Sequence, residues 1–498
     1  MKCPTAVAAL ILCLFAVGCT VGPDYRQPDP PVSPGFKELS GWKPVQPRDD
    51  ADKGDWWAIY HDPELDRLEQ MVEVSNQTVK QFEAEYRNAV ALVGEARAGL
   101  FPTVGLTAGV TRAGGGGGGS GSARNSANLG SGGTSGGSGG RSATIYSLEG
   151  NASWDLDVWG RVRRQIESNV AGAQVSAADL ANAKLSAQAT LATDYFDLRA
   201  EDALEQLLRE TVDAFQRALQ IVENQYHAGT AASTDLVTAR AQLQSAQAQL
   251  VGVGVQRQQF EHAIAMLTGH APSDLTIAPA PLASAVPVEP PGLPSALLER
   301  RPDIAAAERQ MQQENALIGV QVAAFYPDIS LSALGGFVGS PASQLFSVAN
   351  GVWTLGASAS QTLFSGGARP AAVAAARATY DQAVANYRQT VLTAFQQVED
   401  ALSNLRILEQ QAAAQAIAVD SARQAVAATL NAYRAGTVPY TSVITEQTAL
   451  LSDQQAALSI QQSRLVASVA LVEALGGGWS TTALPAPGKV EEANPIFP

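Results

Sequence analysis

Two overlapping stretches, Gly133–Gly137 and Gly136–Gly140, match the nucleophile-elbow pattern G-x-S-x-G. That pattern supports acyl transfer only when its serine sits on a strand-to-helix turn within reach of a histidine and a carboxylate. Both matches fall inside the low-complexity tract "AGGGGGGSGSARNSANLGSGGTSGGSGGR", Ala113 to Arg141, so they reflect composition and no catalytic residue is assigned. His61, His227, His262 and His270 are scattered, and Cys3, Cys13 and Cys19 form no Cys/His metal spacing, so no metal ligand is named either. Charged residues make up only 16% of the chain and the net charge is −14, which argues against a nucleic-acid partner needing clustered Lys/Arg.

The one residue with chemistry to expect is Cys19. Lys2, the apolar run Ala6 to Val17 and the small residue Gly18 read as an export signal over residues 1–18, too short to span a bilayer. Cys3 and Cys13 lie within it, so Cys19 is the only mature cysteine and no disulfide is expected. "AVGC" resembles a bacterial lipoprotein box, with Ala16 where a larger aliphatic is common. The resemblance implies that Cys19 becomes the first residue and carries diacylglycerol and an acyl chain such as palmitate. No other cofactor is expected. Prolines up to Pro47 make residues 19–61 a lipidated, extended N-terminal segment.

From there the chain turns helical, with Asp62 as N-cap and Pro63 at the first helical position. "PTVGLTAGVT" then alternates, Val104, Leu106, Ala108 and Val110 opposing Thr103, Gly105, Thr107 and Thr111. The alternation resumes beyond the glycine tract, predicting strands over about 103–112 and 143–158 with the tract as their hairpin loop. Proline-free helices follow over about 161–227 and 234–268, the first roughly 100 Å long at 1.5 Å per residue. Gly229 marks the break between them, with Ser233, Thr234 and Asp235 as candidate caps. Positions 236, 243, 250, 257 and 264 with 239, 246, 253, 260 and 267 form a coiled-coil seam containing Arg257.

The second half repeats the first. "FPTVGL" at Phe101 returns as "YPDISL" at Tyr326, an offset of 225, and "YHAGTAASTDL" at Tyr226 returns as "YRAGTVPYTSV" at Tyr433, an offset of 207. The repeats span 62–290 and 291–476, the second with strands over about 328–338 and 351–364 and helices over about 368–434 and 441–475, followed by a tail at 477–498. Pro302 and Asp303 in the Arg300-Arg301-Pro302-Asp303 block suit a helix start.

Four strands, apolar on one side and small-polar on the other, are the pattern of a water-filled transmembrane β-barrel. A bacterial barrel needs at least about eight strands, and open edges in lipid leave backbone groups unpaired. Several chains must therefore share one barrel. Phe101, Trp154, Trp159, Phe325, Tyr326, Trp353 and Phe364 are read as an aromatic belt where the helices leave the strands. The competing reading is a non-porous periplasmic coiled-coil lipoprotein scaffold, which the alternating strands disfavour.

The blocks "CTVGPDY", "WWAIYHDPELDRL", "SWDLDVWGRVRR", "LLERRPDIAAAERQMQQENALIGVQVAAFYPDISL" and "VEALGGGW" resemble the TolC-like outer-membrane factor family, in its lipidated NodT/OprM-type efflux branch. The resemblance implies an α+β membrane protein: a homotrimer with a 12-stranded transmembrane β-barrel, four strands per chain, continued by a periplasmic α-helical barrel. It implies the exit duct of a tripartite efflux pump in the outer membrane, conducting drugs or other small molecules passively and not an enzyme. Its partners would be outer-membrane lipids, a periplasmic adaptor of the membrane-fusion type and an inner-membrane transporter of the resistance-nodulation-division (RND) type. The adaptor-facing tips would be Tyr226, Gly229 and Thr230 with Tyr433, Gly436 and Thr437. Asp420, the only acid between Glu409 and Glu446, is the candidate gate residue, with Arg423 and Arg434 as possible partners in ties between chains.

Overall fold

A computed structural model describes residues 20–31, 35–39, 55–113, 143–287 and 297–493. The export signal, Cys19 and the glycine-rich residues 114–142 lie outside the described residues. The elements are helices α1 (Pro63–Ser75) and α2 (Gln77–Ala98), strands β1 (Thr103–Ala113) and β2 (Ala143–Leu156), and helices α3 (Arg161–His227) and α4 (Ser233–Leu267). After a single turn at Leu297–Arg300 come α5 (Pro302–Ala323), strands β3 (Asp328–Gly339) and β4 (Gly351–Ser360), and helices α6 (Ala368–Arg434), α7 (Tyr440–Ala474) and α8 (Pro487–Glu492). The duplication is metric as well as sequential: α3 and α6 are 67 residues each, α4 and α7 are 35, and α2 and α5 are 22.

Asp62 caps α1, its carboxylate accepting the amides of Glu64 and Leu65 at 3.0 and 3.3 Å. The sequence reads as one continuous helical stretch beyond this point, but the chain breaks at Asn76, which has extended φ/ψ. Its Oδ1 accepts Val79 N–H at 3.0 Å, and its Nδ2 donates to the Leu267 carbonyl at 2.8 Å at the end of α4. One side chain thus starts α2 and ties it to the hairpin below.

The sheet order is β1-β2-β3-β4, antiparallel throughout, so β1 and β4 each keep one unpaired edge. Register aligns Val104 with Ala152, Trp154 with Leu331, and Ala333 with Leu355, which makes one face continuously apolar. Thr103, Ser153 and Ser332 share the other face with Asn151 and Asp155. β4 stops at Ser360, short of 364, because its partner strand starts at Asp328, paired with Ser360, and no ladder exists beyond. β2 likewise ends at Leu156. Asp157 instead accepts the amides of Val162 and Arg163, both at 3.0 Å, and so caps α3.

The helices form a palisade. Below the sheet its order is α2-α3-α5-α6, and farther down it is α4-α3-α7-α6, so each long helix has a neighbour along its whole length. α1 packs across this wall, burying Leu65, Leu68 and Val72 with Trp56 and Trp57 against Leu191, Tyr195 and Leu198 of α3 and Leu465 and Val469 of α7. Of the α4 seam, Ala239, Leu243, Ala246, Val253 and Ile264 are buried. Arg257 is tolerated there because Asp202 (2.6 Å), Glu261 (3.1 Å) and the Ile277 carbonyl (2.7 Å) take up its guanidinium.

One group is at odds with this core. Glu69 is fully buried and neither carboxylate oxygen has a hydrogen-bond partner. Burial, with the charge of Asp66 beside it, pushes its carboxyl up to about 9. Folded protein therefore holds this proton where unfolded chain releases it, so the group's contribution to stability falls as pH rises from about 4.5 to about 9. Glu69→Leu is expected to stabilise the fold by about 1–3 kcal/mol at pH 8. The gain should shrink toward pH 4.5, and comparing denaturant midpoints at the two pH values checks it.

Candidate functional site

The ends of the two helical hairpins lie farthest from the sheet, and each is closed by the same turn. Gly229 (φ +74°) and Gly436 (φ +75°) adopt a left-handed conformation that side chains resist. Thr230 N–H reaches back to the Gln225 carbonyl at 2.9 Å, and Thr437 N–H to Ala432 at 3.0 Å, while each threonine hydroxyl donates to the same carbonyl. These are Schellman caps, which satisfy the last carbonyls of α3 and α6. The cap of α4 differs from the sequence reading. Its N-cap is Ala232, without a side-chain bond, and Ser233, Thr234 and Asp235 already belong to the helix.

The tyrosines that precede the turns are equivalent in sequence but not in space. Tyr433 is 7% exposed, whereas Tyr226 is 41% exposed. Tyr433 stands against Tyr440 with ring centroids 5.2 Å apart, and both pack with Val222, Ala239 and Val443, so all four helices meet in one apolar knot. Burial raises both phenols, Tyr440 up to about 12 with further contributions from Tyr433 and Asp235. Sequence reasoning set Ala239 in the α4 seam and Tyr440 on the adaptor-facing side, and missed Val222 and the burial of Tyr440 against Tyr433. The available signal was the offset of 207, which sets Tyr440 opposite Ser233 and shows an aromatic added to one copy only.

Asp420, Arg423 and Arg434 all lie exposed on α6, and Asp420 is about 20 Å from its end at 1.5 Å per residue. Asp420 accepts Gln424 Nε2 at 2.8 Å. Among the described residues neither arginine forms an ion pair within the chain. The structure does not bring the three together in one protomer. Higher up, Asp194, Asp197 and Glu201 share one side of α3, each with its carboxyl raised by burial first, Asp194 to about 6.

At the junction of helices and sheet, Trp159 stacks on Tyr326 at 4.7 Å and donates to the Pro327 carbonyl at 2.9 Å. Trp154 donates to the Leu100 carbonyl at 3.0 Å, beside Phe101. Trp353 does not belong to this belt. It pairs with Gly335 near the start of β4, at the opposite rim. The error has a simple cause, since β4 runs toward the junction and its first residues are the distant ones. Among the described residues no group of three metal-ligating side chains is present and no helix is long and apolar enough to cross a membrane.

The N-terminal segment runs along this wall. Val21 N–H donates to the Trp159 carbonyl at 3.1 Å, and Arg164 reaches the Val21 and Gly22 carbonyls and Asp24. Gly22 sits so close to α5 that a Cβ there would lie 2.5 Å from the Gly319 Cα. Farther down, Glu38 pairs with Arg406 and the amides of Lys37 and Glu38 donate to Glu399 at 2.6 and 3.0 Å.

The profile described as "Outer membrane efflux protein" matches residues 68–270 and 293–477. The chain is 31% identical over 484 residues to the probable efflux pump outer membrane protein TtgC of Pseudomonas putida, covering 95% of each. It is 30% identical to the solvent efflux pump outer membrane protein SrpC of Pseudomonas putida, covering 94% of this chain and 97% of that one. Among solved structures, the outer-membrane channel OprN superposes with a TM-score of 0.83 at 29% identity, covering 93% of this chain and 100% of that one.

Tyr433→Ala should destabilise the hairpin ends by about 3 kcal/mol, while Tyr226→Ala should cost less than about 1 kcal/mol. Hydrogen exchange of residues 215–245 and 425–445 measures both, and equal effects would refute the asymmetry.

Proposed function

The chain belongs to the outer membrane efflux protein family, and on that premise we propose that it is the exit duct of a tripartite efflux pump. It is an outer-membrane protein, and the duct is a passive conduit for drugs or other small molecules. The observation that carries the reading is a coincidence of open edges. β1 with α2 and α4 bounds one side of the protomer, and β4 with α6 bounds the other, in the membrane layer and in the helical layer alike.

Those edges invite a head-to-tail ring. Val237, Val251 and Val255 are exposed on α4, and Leu392, Ile407 and Ile417 on α6. Unpaired strand edges in lipid cost several kcal/mol per group, so β4 of one copy pairs with β1 of the next. Three copies close a 12-stranded barrel around the polar face of the sheet, and the helices continue it as a tunnel through the periplasm. A scaffold without a pore has no use for a sheet of this polarity.

The hairpin ends, with Tyr226, Gly229, Thr230, Tyr433, Gly436 and Thr437, meet a periplasmic adaptor that couples the duct to an inner-membrane transporter of the RND type. Asp420, about 20 Å from the hairpin end, narrows the tunnel as a ring of carboxylates, and Arg423 and Arg434, exposed and without ion pairs among the described residues, tie neighbouring copies at rest. Lipidation of Cys19 is supported by its neighbour Thr20, which lies against Gly160 at the aromatic rim, where an attached acyl chain enters the bilayer at once.

Detergent-phase mass should correspond to three chains, and planar bilayers should show discrete conductance; a monomer without pores would refute the duct. Cys19→Ala should abolish incorporation of labelled palmitate and leave trimer mass unchanged.

A further inference from the structure

We infer that the connection between β3 and β4, Ser340–Asn350, is a membrane wedge that dips Phe346 and Val348 among the acyl chains of the outer leaflet while its backbone keeps to the headgroup layer. The inference rests on the barrel reading and concerns a segment to which that reading assigns no role.

Four observations converge on it. Between Asp328 and Arg369 the chain has no Asp, Glu, Lys, Arg or His, so this hairpin is uncharged from end to end. The other hairpin, by contrast, carries Arg112, Arg124, Arg141 and Glu149. Next, the connection folds back on a definite side of the sheet. Phe346 packs edge-on against Phe337, with centroids 5.4 Å apart. Phe337 pairs with Leu148 and lies on the same face of β3 as Leu331 and Ala333, the apolar face that meets lipid.

Third, the apolar side chains here are turned outward. Val348 is 97% exposed and Phe346 67%, beside Trp353 at 77%. A water-facing loop gains nothing from this arrangement, whereas acyl chains cover it and extend the apolar band of the strands. Fourth, turns tighten the connection and pair part of its backbone, and the remaining polar groups keep to the headgroup layer, since irregular backbone does not lie exposed in hydrocarbon. The amides of Gln344, Leu345, Ser347 and Asn350 donate to Pro341, Ala342, Gln344 and Ser347 carbonyls at 3.0–3.2 Å. The side-chain amide of Asn350 also donates to the Gln344 carbonyl at 2.8 Å. Trp353 then serves as the interfacial anchor of the outer rim.

Cys19 is the only cysteine of the mature chain, so single spin labels test the proposal in the full-length trimer. Phe346→Cys and Val348→Cys, with Leu355→Cys on the apolar face and Thr230→Cys at the hairpin end as references, are labelled. The labelled trimers are reconstituted in palmitoyl-oleoyl phosphatidylethanolamine and phosphatidylglycerol vesicles, with unsubstituted protein as the blank. Collision with oxygen should exceed collision with a water-soluble nickel chelate several-fold at 346, 348 and 355, with the ratio reversed at 230. Labels at 346 and 348 that behave like 230 while 355 stays lipid-like would overturn the inference and leave the barrel intact. A water-like label at 355 would overturn the barrel reading and the inference with it.

Discussion

Unpaired backbone is costly wherever water is excluded, and the two open edges of the sheet are the constraint on which the rest of this fold depends. Four antiparallel strands satisfy each other except along β1 and β4. Everything below the sheet is consistent with closing that gap by copies. The helical palisade opens on the same two sides as the sheet, so one rotation relating neighbouring copies would pair strands above and helices beneath. The internal duplication serves this geometry, because two hairpin units with helices of equal length build one continuous wall.

The long helices pose a second problem. A 67-residue helix with a weakly apolar surface has little reason to hold one direction by itself. Support comes in relay: the 35-residue partner covers one part of it and the 22-residue partner the rest. Where partners change, connecting segments are clasped by arginines at equivalent positions of the two copies. Arg199, with Asp202 and Arg257, holds the carbonyls of Ile277 and Ala278, and Arg406 holds Glu38 of the N-terminal segment. The same charge thus fastens two different pieces of chain. Buried in this way, the Asp202 pairs with Arg199 and Arg257 fix position more than they add stability, while the Arg406–Glu38 pair stays half-exposed.

Function in such a molecule is geometric. The asymmetry at the hairpin ends is where the repeats part company. Tyr433 and Tyr440 lock the two hairpins of one protomer together, while Tyr226 is left to the outside. The two hairpin ends therefore present different surfaces even though the sequences that build them are related.

How much was legible beforehand follows from the range of the forces involved. Strand alternation, helix length and the turns at Gly229 and Gly436 depend on neighbours a few residues away, so periodicity and an internal repeat were enough to read them. The Asp62 cap and the start of α5 at Pro302 are local in the same sense. The break at Asn76 depends on the Leu267 carbonyl, distant in sequence, and Arg257 looked like a flaw in a seam until Asp202 stood beside it. Trp353 was set at the wrong rim because sequence distance along β4 does not reveal which end is up. Burial of Tyr433 but not Tyr226, and the folding of Phe346 onto Phe337, belong to packing between segments far apart or across a turn. Sequence alone determined the elements and their duplication, since these rest on local backbone preference. Only the tertiary structure decided which equivalent residues became different, since that rests on what each happens to touch.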